Sequence, residues 1–208
     1  MDCFQIISLI KDLILAGVAI TGAVVAVKGL GTWQRQLKGQ SEYDLSRRIL
    51  IGLYRYRDAI NRVRNPVMWP YEMPYPTDEE AKGMDQRQIR FYGTSKAYQA
   101  RWEKVQDEKT ILNTDLLEAE AIWGNRLDEL FKKVFTLESE LFTKIRRQME
   151  IANPDTDGAR REAVSKLDNN SRDIMYDLST EDPDEFKRDL LAAIATIETY
   201  LKPKLSHE

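Results

Sequence analysis

The chain of 208 residues has a single cysteine, Cys3, and a single histidine, His207, one residue from its end. One cysteine excludes an internal disulfide framework and a cysteine zinc site. A lone terminal histidine leaves no ordered imidazole base and no histidine-ligated metal site. No Gly-rich phosphate loop and no nucleophile elbow of the G-x-S-x-G type occurs, so nothing in the chain points to a catalytic constellation or a cofactor. A nucleophilic cysteine would have to be Cys3, outside the domain expected to do the work. Glycine and proline are few, ten and seven, and no stretch alternates apolar and polar residues far enough to make a sheet, so the expected fold class is all-α.

Charge is short at the N-terminus. Leu13 to Val27, LILAGVAITGAVVAV, carries none. As a helix it would span about 22 Å, and Phe4 to Val27 about 36 Å, against roughly 30 Å of bilayer hydrocarbon. A buried core helix is the plain alternative, but nothing later in the chain needs so uniformly apolar a partner. A secretory signal would want a positive N-terminal region, and the first ten residues hold Asp2 and no Lys or Arg.

From Lys28 to Arg64 nine basic residues, Lys28, Arg35, Lys38, Arg47, Arg48, Arg55, Arg57, Arg62 and Arg64, meet only three acids, Glu42, Asp44 and Asp58, although the whole chain has a net charge of -3. By the positive-inside rule, residues 1–30 are expected to be a transmembrane helix with its N-terminus outside, and residues 31–208 a cytoplasmic helical domain. Trp33 suits the interface. Within the span, Ala16, Ala19, Gly22, Ala23 and Ala26 recur at small-xxx-small spacing, which lets helices pack closely in lipid and points to a homo-oligomer. Lys11 and Asp12 either mark the outer interface or line an aqueous path in an assembly.

In the remainder, Leu45, Ile49, Leu53, Tyr56, Ile60 and Val63 give one apolar face to a helix expected over Ser41 to Arg64, capped at Ser41 and stopped by Asn65-Pro66. Its arginines, Arg47, Arg48, Arg55, Arg57, Arg62 and Arg64, form a candidate basic contact surface for anionic lipid headgroups or for a protein or RNA partner, unless they are simply a solvated face. Pro66 to Pro76, PVMWPYEMPYP, must be a structured loop that covers the end of a core or docks a partner. A helix is expected from Asp78 to about Asp107. Another, Asp115 to about Ala152, carries a heptad seam of Trp123, Leu127, Leu130, Val134, Leu137 and Leu141. Ala159 to Asp168 reads as a short helix, and Asp182-Pro183 as the start of a last one, with Phe186, Leu190, Ile194, Ile197 and Leu201 buried.

A membrane helix, then TWQRQLKGQSEYD at Thr32 to Asp44, then an Arg-rich helix ending in RVRNP at Arg62 to Pro66, resembles the membrane accessory proteins of RNA-targeting CRISPR systems. That resemblance implies a HEPN-like helical domain on a membrane helix, assembled as a ring-shaped pore of the bacterial inner membrane in anti-phage defence. HEPN ribonucleases carry an Arg followed by a polar residue, with a His four to six positions beyond that polar residue. Arg64-Asn65 matches the first half, but Trp69, Pro70 and Tyr71 stand where the His belongs, which argues against RNA cleavage.

Overall fold

The computed structural model describes residues 3–178 and 182–206, with the side chains of residues 3–14, 16, 19, 20, 23, 24 and 27 outside the description. Among the described residues the structure is helix and connecting loop, without strands: α1 Cys3–Val63, α2 Gln86–Trp123, α3 Arg126–Ala152, α4 Gly158–Asn169 and α5 Glu185–Leu201, with 3-10 turns at Pro70–Glu72 and Lys202–Leu205.

α1 is one helix of 61 residues, about 90 Å long at 1.5 Å per residue. The start expected at Ser41 does not exist, and the boundary expected at residue 30 falls inside the helix. The reason is energetic. A glycine such as Gly39 costs about 1 kcal/mol within a helix, the flanking Gln, Leu, Lys and Arg residues favour helix, and no proline forces a stop.

Burial on α1 begins at Leu45. Leu45, Ile49, Leu53, Tyr56 and Ile60 are fully buried, as the periodicity predicts. They pack against α2, which runs antiparallel: Arg48 reaches Asp115, Gly52 approaches Leu112 so closely that a Cβ would lie 3.2 Å from its Cδ1, and Arg101 reaches the carbonyl of Asn65. Ala97, Tyr98, Val105, Leu112, Leu116 and Ala119 are the buried face of α2.

α2 starts eight residues later than expected. Residues 78–83 are turns, and Asp85 caps the helix by accepting from the backbone N–H groups of Arg87 and Gln88, while Gln88 accepts from the N–H of Asp85. α2 then runs through Asp107 and Asp115 to Trp123. The single helix expected over Asp115 to Ala152 is therefore two, parted at Gly124, which adopts φ +75° and donates to the carbonyl of Glu120. Heptad counting passes through this turn because the turn happens to preserve the spacing. Trp123 ends α2, whereas Leu127, Val134, Leu137 and Leu141 are buried on α3.

α4 is capped by Asp157. α5 is capped by Asp184, which accepts from the Lys187 N–H, and not by Asp182. Its stripe of Phe186, Leu190, Ile194, Ile197 and Leu201 is buried as expected, completing a core shared by the C-terminal part of α1 with α2, α3 and α5.

Candidate functional site

Two features stand out from this scaffold: the part of α1 that precedes the bundle, and the pole of the bundle at the other end of that helix.

From Leu15 to Lys38 the described side chains of α1 are exposed, whereas Glu42 and Tyr43 are already half-buried. Leu15, Val18, Val25, Leu30, Trp33 and Leu37 are 48% to 65% exposed. Gly17, Gly22, Gly29 and Gly31 have nothing within 4 Å of where a Cβ would stand. Of the candidate packing residues, Gly22 and Ala26 are exposed on this arm; Lys11, Asp12, Ala16, Ala19 and Ala23 have side chains outside the described residues. Among the described residues no helix is long and apolar enough to cross a membrane.

The six candidate arginines do not form one surface. Arg64 is a correction: its side chain is 0% exposed. It donates to the carbonyls of Ile174 at 2.8 Å and Tyr176 at 3.1 Å and to the Asp184 carboxylate at 2.6 Å, and its guanidinium lies 4.6 Å from the Phe186 ring centre. It ties the end of α1 to the segment before α5 and is not available to a partner. Arg48 is bound to Asp115 and Glu118, and the Asp115 hydrogen bond raises its pKa. Arg57 bonds Asp58 and lies over the Tyr54 ring. Arg47, Arg55 and Arg62 are exposed with no ion pair among the described residues, so three of the six remain as free surface charge.

At the far pole, the Pro66 to Pro76 segment is ordered by a residue that sequence reasoning missed. Arg101, 5% exposed, donates to the carbonyls of Asn65 and Val67, each at 2.7 Å, and grips both oxygens of Glu72 at 3.0 and 2.9 Å. That grip holds the Glu72 carboxyl down at about 2. Met68 packs on the core and Met73 lies against Gly93 of α2, yet Val67, Trp69, Tyr71 and Tyr75 are 53% to 86% exposed. A clamped backbone displaying aromatics is a rigid surface for contact, since ordering it on binding costs little further entropy.

Chemistry is harder to build. A groove of about 770 Å³ lies between α3 and residues 171–174, lined by the cations Lys132, Lys144, Arg147 and Arg172, and two of the four are committed. Arg172 bonds Glu140 and Asp189 and pairs with Glu185, and Lys144 is buried against Asp168 at 2.9 Å. Among the described residues no group of three or more His, Cys, Asp or Glu could hold a metal ion. Paired charges of this kind brace a bundle.

Comparison with known protein families, curated proteins and solved structures finds no match to this chain.

Proposed function

We propose that this chain is a membrane-anchored helical protein acting as a homo-oligomer, with the N-terminal part of α1 in the bacterial inner membrane and the bundle on the cytoplasmic side. The observation that carries the reading is the bare arm. Leu15, Val18, Val25, Leu30 and Trp33 are presented to the surroundings with none of the described residues over them. Lone apolar helices are poorly supported in water, whereas lipid or further copies of the helix cover such a surface and the backbone hydrogen bonds are already satisfied within it. Lys28, Arg35 and Lys38 follow the uncharged run, which favours this orientation.

In the fuller form of the proposal the gathered helices perturb or open the membrane, in anti-phage defence as the resemblance to CRISPR accessory proteins suggests, without enzymatic activity. A second reading, a single-pass tether without a pore, is favoured by the clamped aromatics at the pole farthest from the arm, which suit a protein or RNA partner. The test is the mass of the full-length protein in detergent by light scattering, beside a chain beginning at Trp33. A defined oligomer lost on truncation supports the assembly, and dye leakage from liposomes then separates pore from tether. A monomer at every detergent concentration refutes the assembly, and extraction by alkaline carbonate refutes the anchor.

A further inference from the structure

The stretch of α1 between the apolar run and the bundle carries a pattern that its burial makes meaningful. Leu30, Trp33 and Leu37 are spaced three and four apart and are 59%, 58% and 48% exposed. In sequence the same register extends back through Ala26, Ala23 and Ala19, an unbroken alternation of three and four that is the spacing of a coiled-coil seam. Polar residues obey it as well. Lys28, Arg35 and Glu42 fall at the positions opposite the seam, Lys38 lies to the outer side, and Lys38 and Glu42 approach one another there at 3.9 Å. The positions flanking the seam, Gly29, Gln34, Gln36 and Ser41, are uncharged. Between Lys28 and Glu42 every charge is thus kept off one apolar line, and that line is exposed.

The bundle leaves the line open. At about 100° per residue, Leu30, Trp33 and Leu37 lie roughly a third of a turn from the face that Leu45, Ile49, Tyr56 and Ile60 give to the core. Among the described residues no element covers them.

We propose that Leu30, Trp33 and Leu37 form a parallel, in-register packing seam with the same residues of further copies of this chain, at and beyond the cytoplasmic edge of the lipid and continuous with the small-residue line of the sequence within it. The inference deepens the membrane-anchored reading and rests on it. Two heptads of helix are marginal by themselves, but anchoring in one membrane fixes the helices parallel and raises their effective concentration, so a short seam suffices. Like copies are the fitting occupant because an uncharged flank neither repels an identical neighbour nor selects a different one.

The test uses the full chain in liposomes with Cys3→Ser as background and single cysteines introduced by Leu30→Cys, Leu37→Cys, Arg35→Cys or Lys38→Cys. Under mild oxidation the first two are expected to give a strong disulfide-linked dimer and the last two little or none. Equal crosslinking at all four positions, or none at the seam, overturns the proposal, as does a crosslink to a different protein when native membranes are used. A second variant, Leu30→Asp with Leu37→Asp, is expected to lose the oligomer in detergent while keeping the helical circular dichroism and unfolding midpoint of the bundle; an unchanged mass overturns the seam. Flotation with liposomes separates the two levels. A protein that floats but does not crosslink at the seam refutes this inference alone, and one that does not float refutes the anchor as well.

Discussion

Replacing Arg64 by alanine should destabilise the bundle by about 3 kcal/mol, the lower part of the range for breaking a buried ion pair. The substitution removes hydrogen bonds to the Ile174 and Tyr176 carbonyls and the Asp184 carboxylate, and it empties the space over the Phe186 ring. The full cost is not reached because the Asp184 side chain is 29% exposed and water can take up part of its charge. Arg64→Lys should cost less, about 1.5 kcal/mol, since an ammonium keeps the charge but cannot serve three acceptors in the plane of a guanidinium. Arg62→Ala, at an exposed position of the same helix turn, should stay within about 0.5 kcal/mol of the parent. Urea unfolding of the full-length protein in detergent, followed by tryptophan fluorescence at constant slope, measures all three. Limited proteolysis adds a local readout, with cleavage near residues 172–178 expected to rise in Arg64→Ala. A loss below about 1 kcal/mol, equal to that of Arg62→Ala, would show that Arg64 is a surface charge after all and that the buried assignment is mistaken.

Two further outcomes follow from single residues. The Glu72 carboxyl, held at about 2 against an ordinary 4.5, binds fewer protons in the folded than in the unfolded state, so its stabilisation is complete above pH 4.5 and fades as pH falls toward 2. After allowance for solvent screening it is worth about 2 kcal/mol at neutral pH; Glu72→Gln should therefore narrow the difference between the urea midpoints at pH 6 and pH 3, and parallel profiles for the two proteins would refute this. Gly124→Ala places a Cβ in open space but forces a residue with a side chain to hold φ +75° and ψ -171°, at a cost of about 1 to 3 kcal/mol, read as a lower thermal midpoint; no change would mean that the turn between α2 and α3 is not held as described.

What could be read from the chain was what local periodicity encodes. The buried stripes of α1 and α5 were legible because Leu45 to Val63 and Phe186 to Leu201 repeat at helical spacing. The turn at Gly124 was hidden by the heptad it interrupts, although a glycine followed by asparagine is itself a stop signal. The continuity of α1 was hidden by Gly39-Gln40-Ser41, which looks like a cap and is not one, because a cap needs a reason for the preceding turn to unwind. Arg64 and Arg101 were the least accessible to sequence reasoning. Their acceptors lie as far as 120 and 36 residues away, and net charge treats both as surface. A signal existed nonetheless: Arg64 follows Ile60 by four, and Arg101 follows Ala97 by four and precedes Val105 by four, which puts each on a buried face.

The continuity of α1 gives the proposed seam a consequence for the bundle. A flexible linker would let the bundle take any orientation above an assembled set of arms, but an unbroken helix carries its rotational phase from one end to the other. Advancing at about 100° per residue, the line through Leu30, Trp33 and Leu37 continues as Arg48, Ile51, Arg55, Asp58 and Arg62, the exposed side of α1 away from the bundle core. Copies gathered along the seam would therefore turn these residues toward their common axis, with α2 beside it through the pairs of Arg48 with Asp115 and Glu118. Arg55 and Arg62, the two cations of that line without an ion pair among the described residues, would then face inward and repel one another across the axis, spreading the helices apart beyond Leu37.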